Sequence, residues 1–171
     1  VFTTGNLQTT GQTYDVAIEG QGFFQVEQTN GELAYTRAGS FSINDQGRLT
    51  TAQGMPIAPE VTIPPNATNI VIGEDGQVSA NLPGQAEPVQ VGQLTLVNFM
   101  NPAGLLALGD NLYQETVASG VPIEGTPGQD ALGKLRQGSL EGSNVQVVEE
   151  MVDMISAQRT YEMNTQVLSS A

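Results

Sequence analysis

The sequence predicts a mainly β protein: an antiparallel β domain of stacked hairpins over residues 1–140, followed by a long C-terminal amphipathic α-helix over residues 141–171. Three observations predict it. Apolar residues recur at period two through most of the first part, the signature of strands with one face in a core. A short unit of strand, glycine turn and strand repeats along the chain. From Ser143 onward there is neither glycine nor proline, and the apolar spacing becomes helical.

Residues 1–13 are polar and rich in Thr and Gly, an extended lead-in with Phe2 and Leu7 as anchors. Val16 and Ile18 then alternate with Ala17 and Glu19; Phe24 and Val26 share a face, as do Leu33 and Tyr35. Asn30-Gly31 between those runs is a hairpin signal, because both residues tolerate positive φ. Phe41, Ile43, Gly47 and Leu49 stand at offsets 0, 2, 6 and 8, and Ile70, Ile72, Gly76 and Val78 repeat those offsets. Phe24, Val26, Gly31 and Leu33 follow the same plan with one extra residue before the glycine. Each copy reads as a hairpin.

Pro56, Pro59, Pro64 and Pro65 lack the donor a central strand needs, which predicts an irregular excursion at a sheet edge with Val61 and Ile63 turned inward. The strongest strand signal runs from Val89 to Phe99. Residues 101–116 read as one helical turn and a strand from Leu112 to Thr116, residues 117–133 as a long Gly- and Pro-rich loop, and "KLRQGSLEG" as a last strand.

Ser143 or Asn144 suits a helix N-cap, and Glu149 and Glu150 lie near the positive end of the dipole. At about 1.5 Å per residue the helix would reach roughly 40 Å, more than this domain covers by itself. Glu149 and Asp153 share a polar stripe with Gln146, Ser156 and Thr160. The opposite arc holds Val147, Val148, Met151, Val152, Met154 and Ile155. A 4-3 spacing runs through Val147, Met151, Met154, Gln158, Tyr161, Thr165 and Leu168, the step of a coiled-coil seam. Gln158, Arg159 and Glu162 are polar where that surface continues, which suits contacts that set register at an assembly interface.

Composition excludes several functions. With 18 acidic and 5 basic residues the formal charge is -13, so no basic patch neutralises phosphates, and neither nucleic acid nor an anionic membrane is an expected partner. No run of about 18 apolar residues spans a bilayer, and no signal peptide is evident. There is no cysteine and no histidine, which removes disulfides, thiolate metal sites and the commonest general base. Glu74-Asp75 and Asp45 sit beside turn glycines and read as wet turn residues. No catalytic, cofactor or metal site is expected. A secreted adhesive or carbohydrate-active β-protein is the rival reading; the latter needs two carboxylates facing each other across a cleft.

The C-terminal run resembles the bacterial flagellar rod and hook proteins in its Ser143-Asn144-Val145 opening, Glu149-Glu150 pair, Met154-Ile155 step and Gln158-Arg159-Thr160-Tyr161-Glu162 segment. Upstream, "DVAIEGQGFFQV", "YTRAGSFSINDQGRLTTAQGMPI", "VGQLTLVNFMNPAGLLALGDNLYQET" and the segment Ser119 to Pro122 are similar to the family's β domain. The likeness is greatest to its distal-rod branch, with proximal-rod and hook branches as alternatives. The resemblance implies a structural subunit, not an enzyme, that self-assembles into a rigid helical tube carrying motor torque to the hook. It implies a β domain on the outer layer and terminal helices paired in an inner coiled-coil layer. It further implies homo-oligomeric contacts, proximal rod and hook proteins as neighbours, ring proteins around the rod, and export to the periplasm-spanning basal body without a cleaved signal peptide. The family's N-terminal helix is not among these residues and the chain opens on Val1, so a trimmed fragment is expected.

Overall fold

The computed structural model of the chain describes residues 6–142. Sixteen short strands appear in that span: β1 Leu7–Thr9, β2 Val16–Glu19, β3 Phe24–Glu27, β4 Leu33–Thr36, β5 Phe41–Ile43, β6 Leu49–Thr51, β7 Ile57–Ala58 and β8 Thr68–Ile72, then β9 Gln77–Asn81, β10 Val89–Gln93, β11 Leu96–Asn98, β12 Leu106–Gly109, β13 Leu112–Gln114, β14 Ile123–Gly125, β15 Lys134–Gln137 and β16 Ser139–Glu141. A 3₁₀ turn occupies Pro102–Gly104.

The predicted hairpin repeat is present, and its chemistry is local. β3–β4, β5–β6 and β8–β9 are antiparallel pairs, with Ile43 opposite Leu49 and Ile72 opposite Val78. Four loops, at residues 28–32, 44–48, 51–55 and 73–77, share one geometry. The fourth residue is Gly31, Gly47, Gly54 or Gly76, at φ 87, 81, 88 and 84°. Its N–H donates to the carbonyl three residues back at 2.9, 2.9, 2.9 and 3.0 Å. The first residue's N–H donates to the fifth's carbonyl at 2.8, 3.0, 2.8 and 2.9 Å. This is the type I turn closed by a left-handed residue, where a side chain would be strained. Asn44 Oδ1 accepts the N–H groups of Gln46 and Arg48, and Asp75 Oδ1 that of Gln77.

Two of these loops belong to larger units. The Ile63 N–H donates to the Gly47 carbonyl at 2.8 Å, and the Leu94 N–H to the Gly76 carbonyl at 2.7 Å. A third segment therefore docks on the turn glycine in both copies. Leu49 donates to the Val61 carbonyl, and Val78 pairs with Gly92. The two units touch at matching positions: a Cβ on Gly92 would lie 2.9 Å from Val61 Cγ1. Val61 and Ile63 are buried, as their inward placement in the proline-rich stretch predicts.

The expected fold needs correction. The described residues form mainly antiparallel β-structure without an α-helix, and the stretch read from the sequence as a long C-terminal helix falls on residues 143–171, outside the described residues. Nor do hairpins simply stack. Long-range pairs close the molecule: β1 with β16, β2 with β15, β4 with β13, β11 with β14 and β3 with β7. The stretch from Val89 to Phe99 is two strands, since the chain changes sheet after Gln93 to pair with β14. That partner, β14, lies inside the predicted loop, and β12 follows the 3₁₀ turn where no strand was expected. Both are short and exposed, so they carry no alternating pattern. Residues 16–18 are buried without alternation, because sheet and loops cover both faces.

Alternation along the chain serves two cores. Phe24 joins a large cluster with Val16, Ile18, Val26, Leu49 and Leu94. Its neighbour Phe23 faces the other way, into a small aromatic cluster with Tyr35, Val97 and Phe99. There the rings meet edge to face, Phe23–Phe99 at 5.9 Å and Tyr35–Phe99 at 4.9 Å.

Candidate assembly surface

The residues singled out from the sequence for assembly, Val147, Val148, Met151, Val152, Met154, Ile155, Gln158, Arg159, Tyr161 and Glu162, lie outside the described residues. The structure does show how the chain leaves the β domain toward them. β1 and β16 form a two-stranded ribbon with Leu7 opposite Glu141 and Thr9 opposite Ser139. The Gly142 N–H donates to the Asn6 carbonyl at 2.8 Å, so the two ends of the described chain depart side by side.

Arg37 holds that ribbon. Its Nη2 donates to Glu141 Oε2 at 2.9 Å and its Nε to Oε1 at 3.1 Å, a bidentate pair. Nη1 donates to the carbonyls of Gly20 and Gly22, each at 2.9 Å, and Nη2 also to that of Ile18 at 3.2 Å. The two side chains are only 13% and 9% exposed. The acceptor loop depends on glycine: Gly20 sits at φ 129°, and a Cβ there would lie 2.6 Å from Gly133 Cα. Arg37 thus joins three stretches of sequence: "EGQG", "YTRAG" and "SLEG". Sequence reasoning missed this role, because three of its partners are backbone carbonyls and the fourth, Glu141, lies 104 positions away.

The carboxylates beside the turn glycines are turn residues, as their spacing predicts. Asp45 and Glu74 are exposed, and Asp75 caps its own turn. Among the described residues no group of three or more acidic side chains is placed to hold a metal ion. Burial raises the Tyr14 phenol above its usual value; burial, then nearby Glu115, raises that of Tyr35. The hydrogen bond and charge of Glu19 raise the Arg136 guanidinium.

Several large apolar side chains are exposed. Met100, Leu106, Leu108, Val117, Val121 and Ile123 are all exposed. Two of them, Val117 and Val121, line an open groove of about 740 Å³ together with Glu32, Leu33, Tyr35 and Pro122 among others.

The fold is that of an antiparallel β domain whose two described ends run out together. Residues 17–80 match the flagellar hook protein FlgE/F/G D1 domain family, and residues 136–171 match the flagellar basal body rod FlgEFG protein C-terminal family. The chain belongs to the flagellar FlgE/F/G rod and hook family. It is 52% identical, over 100% of its length and 66% of the relative's, to the flagellar basal-body rod protein FlgG of Buchnera aphidicola subsp. Schizaphis graminum. Identity to the FlgG rod protein of Bacillus subtilis is 36%, again over 100% of this chain and 66% of the relative. To the flagellar basal-body rod protein FlgF of Caulobacter vibrioides it is 39%, over 94% of this chain and 62% of the relative. The chain therefore spans just under two thirds of the length of the curated relatives it matches.

Proposed function

We propose that this chain is part of a structural subunit of the flagellar distal rod. In this reading it assembles with copies of itself into a rigid helical tube that carries motor torque to the hook. The β domain forms the outer layer. The C-terminal segment, with Val147, Val148, Met151, Val152, Met154, Ile155 and Tyr161, supplies inner-layer contacts, and Gln158, Arg159 and Glu162 set their register. Proximal rod and hook proteins are its axial neighbours, and ring proteins surround it in the periplasm, which it reaches without a cleaved signal peptide. It does no chemistry. Many weak contacts repeated along a helix make such a tube stiff.

The observation that carries this reading is the ribbon β1–β16, which sends both chain ends out at one point, as an outer domain hung from an inner layer requires. The names and high identity of the FlgG relatives supply the rod. A proximal-rod subunit is the second reading, favoured by the likeness to FlgF.

Sedimentation of the complete gene product against the 171-residue chain tests assembly: the former is expected to pellet as polymer and the latter to stay largely monomeric. Met151→Asp in cells is expected to abolish swimming while the β domain keeps its circular dichroism spectrum. Normal swimming would remove the packing role. Glycan turnover lost on Glu149→Gln would overturn the structural reading.

A further inference from the structure

We propose that Arg37 is the positioning residue of assembly: by clamping Glu141 it fixes where, and at what angle, both chain ends leave the β domain. This rests on the rod-subunit reading above.

The ribbon has little apolar hold of its own. Of its six residues only Ser139 is buried; Leu7 and Leu140 are half-buried, and Gln8 and Thr9 are exposed. Three residue pairs alone are a marginal β-structure in water. Polar ties must fasten it. At its inner end, Thr10 Oγ1 donates to Asp15 Oδ2 at 2.6 Å and the Gly138 N–H to the Asp15 carbonyl at 2.7 Å. At its outer end, where the terminal segments begin, Arg37 on Glu141 ties it to the domain. The same guanidinium grips the carbonyls of Ile18, Gly20 and Gly22, and Ile18 is fully buried in the large core. The clamp therefore runs from the core to the last residue of β16. Its planar fork fixes direction as well as distance, which a lysine ammonium cannot do.

Hydrogen exchange on the 171-residue chain tests the clamp. In Arg37→Met and Glu141→Gln, hydrogen-bonded amides of β1 and β16 are expected to exchange at least tenfold faster, while those of β3 and β4 keep their protection. Arg37→Lys should fall between. The complete gene product with Arg37→Lys is then expected to pellet at least fivefold less polymer, with the melting of its β domain unchanged. Unchanged ribbon exchange overturns the proposal. So does uniform acceleration across β1, β3, β4 and β16 in both Glu141→Gln and Arg37→Lys, which would make Arg37 an ordinary core support. So does a loosened ribbon with normal polymer yield. If the unsubstituted gene product forms no polymer, the rod reading falls and the assembly role with it, while the exchange result still decides whether Arg37 clamps the chain ends.

Discussion

The turns at Gly31 and Gly54 and those at Gly47 and Gly76 have the same backbone, yet their surroundings differ. A Cβ on Gly31 or Gly54 would meet nothing within 4 Å. On Gly47 it would lie 2.6 Å from the Ile63 carbonyl oxygen, and on Gly76 2.3 Å from that of Leu94. In the first pair glycine serves only the left-handed conformation. In the second it also leaves room for another segment of chain, whose N–H donates to the glycine's own carbonyl. One residue type at one turn position thus meets two physical demands, and only the local one is written in the spacing.

Substitution separates the two demands. The largest effect is expected from Gly76→Ala and Gly47→Ala: on the order of 3 kcal/mol each by denaturant unfolding, because left-handed strain is joined by a clash with backbone. Gly31→Ala and Gly54→Ala should cost about 1 kcal/mol, the strain alone. Equal losses at all four sites would erase the contrast. The mildest perturbation removes only a proton. The folded chain holds the phenols of Tyr14 and Tyr35 above 10.0, so the unfolded chain ionises first as pH rises. Their contribution is present below about pH 10 and is lost as pH climbs through the raised folded values. Tyr35→Phe, which cannot ionise there, should flatten the alkaline fall in melting temperature; an unchanged slope would count against this account.

Legibility in the sequence followed the range of each interaction. The turns at Gly31, Gly47 and Gly76 were readable because their hydrogen bonds close within five residues. Val61 and Ile63 were readable as inward because apolar residues among prolines have few other uses. Leu33 and Tyr35 share a strand and both line the groove, as their spacing predicts, but their depth was not legible: Leu33 is 39% exposed and Tyr35 2%. The pairing of β2 with β15 and of β1 with β16 left no local trace, since partners more than a hundred positions apart impose no period on either segment. In the sequence Arg37 is one letter of "YTRAG". Its role depends on where five oxygens converge, and a one-dimensional pattern does not record that. The assembly residues read from the C-terminal segment were chosen from spacing alone, and none lies among the described residues.

The ribbon has a mechanical consequence. Its strands are antiparallel and both chain ends depart from the same side, so tension pulling those ends apart opens it like a zipper. The bonds are loaded one after another, beginning with that of Gly142 to Asn6 and then the pair Leu7–Glu141, rather than sharing the force as they would under shear. Zippers yield at low force unless the first tooth is locked. Glu141 belongs to the outermost strand pair, and the guanidinium of Arg37 is its lock.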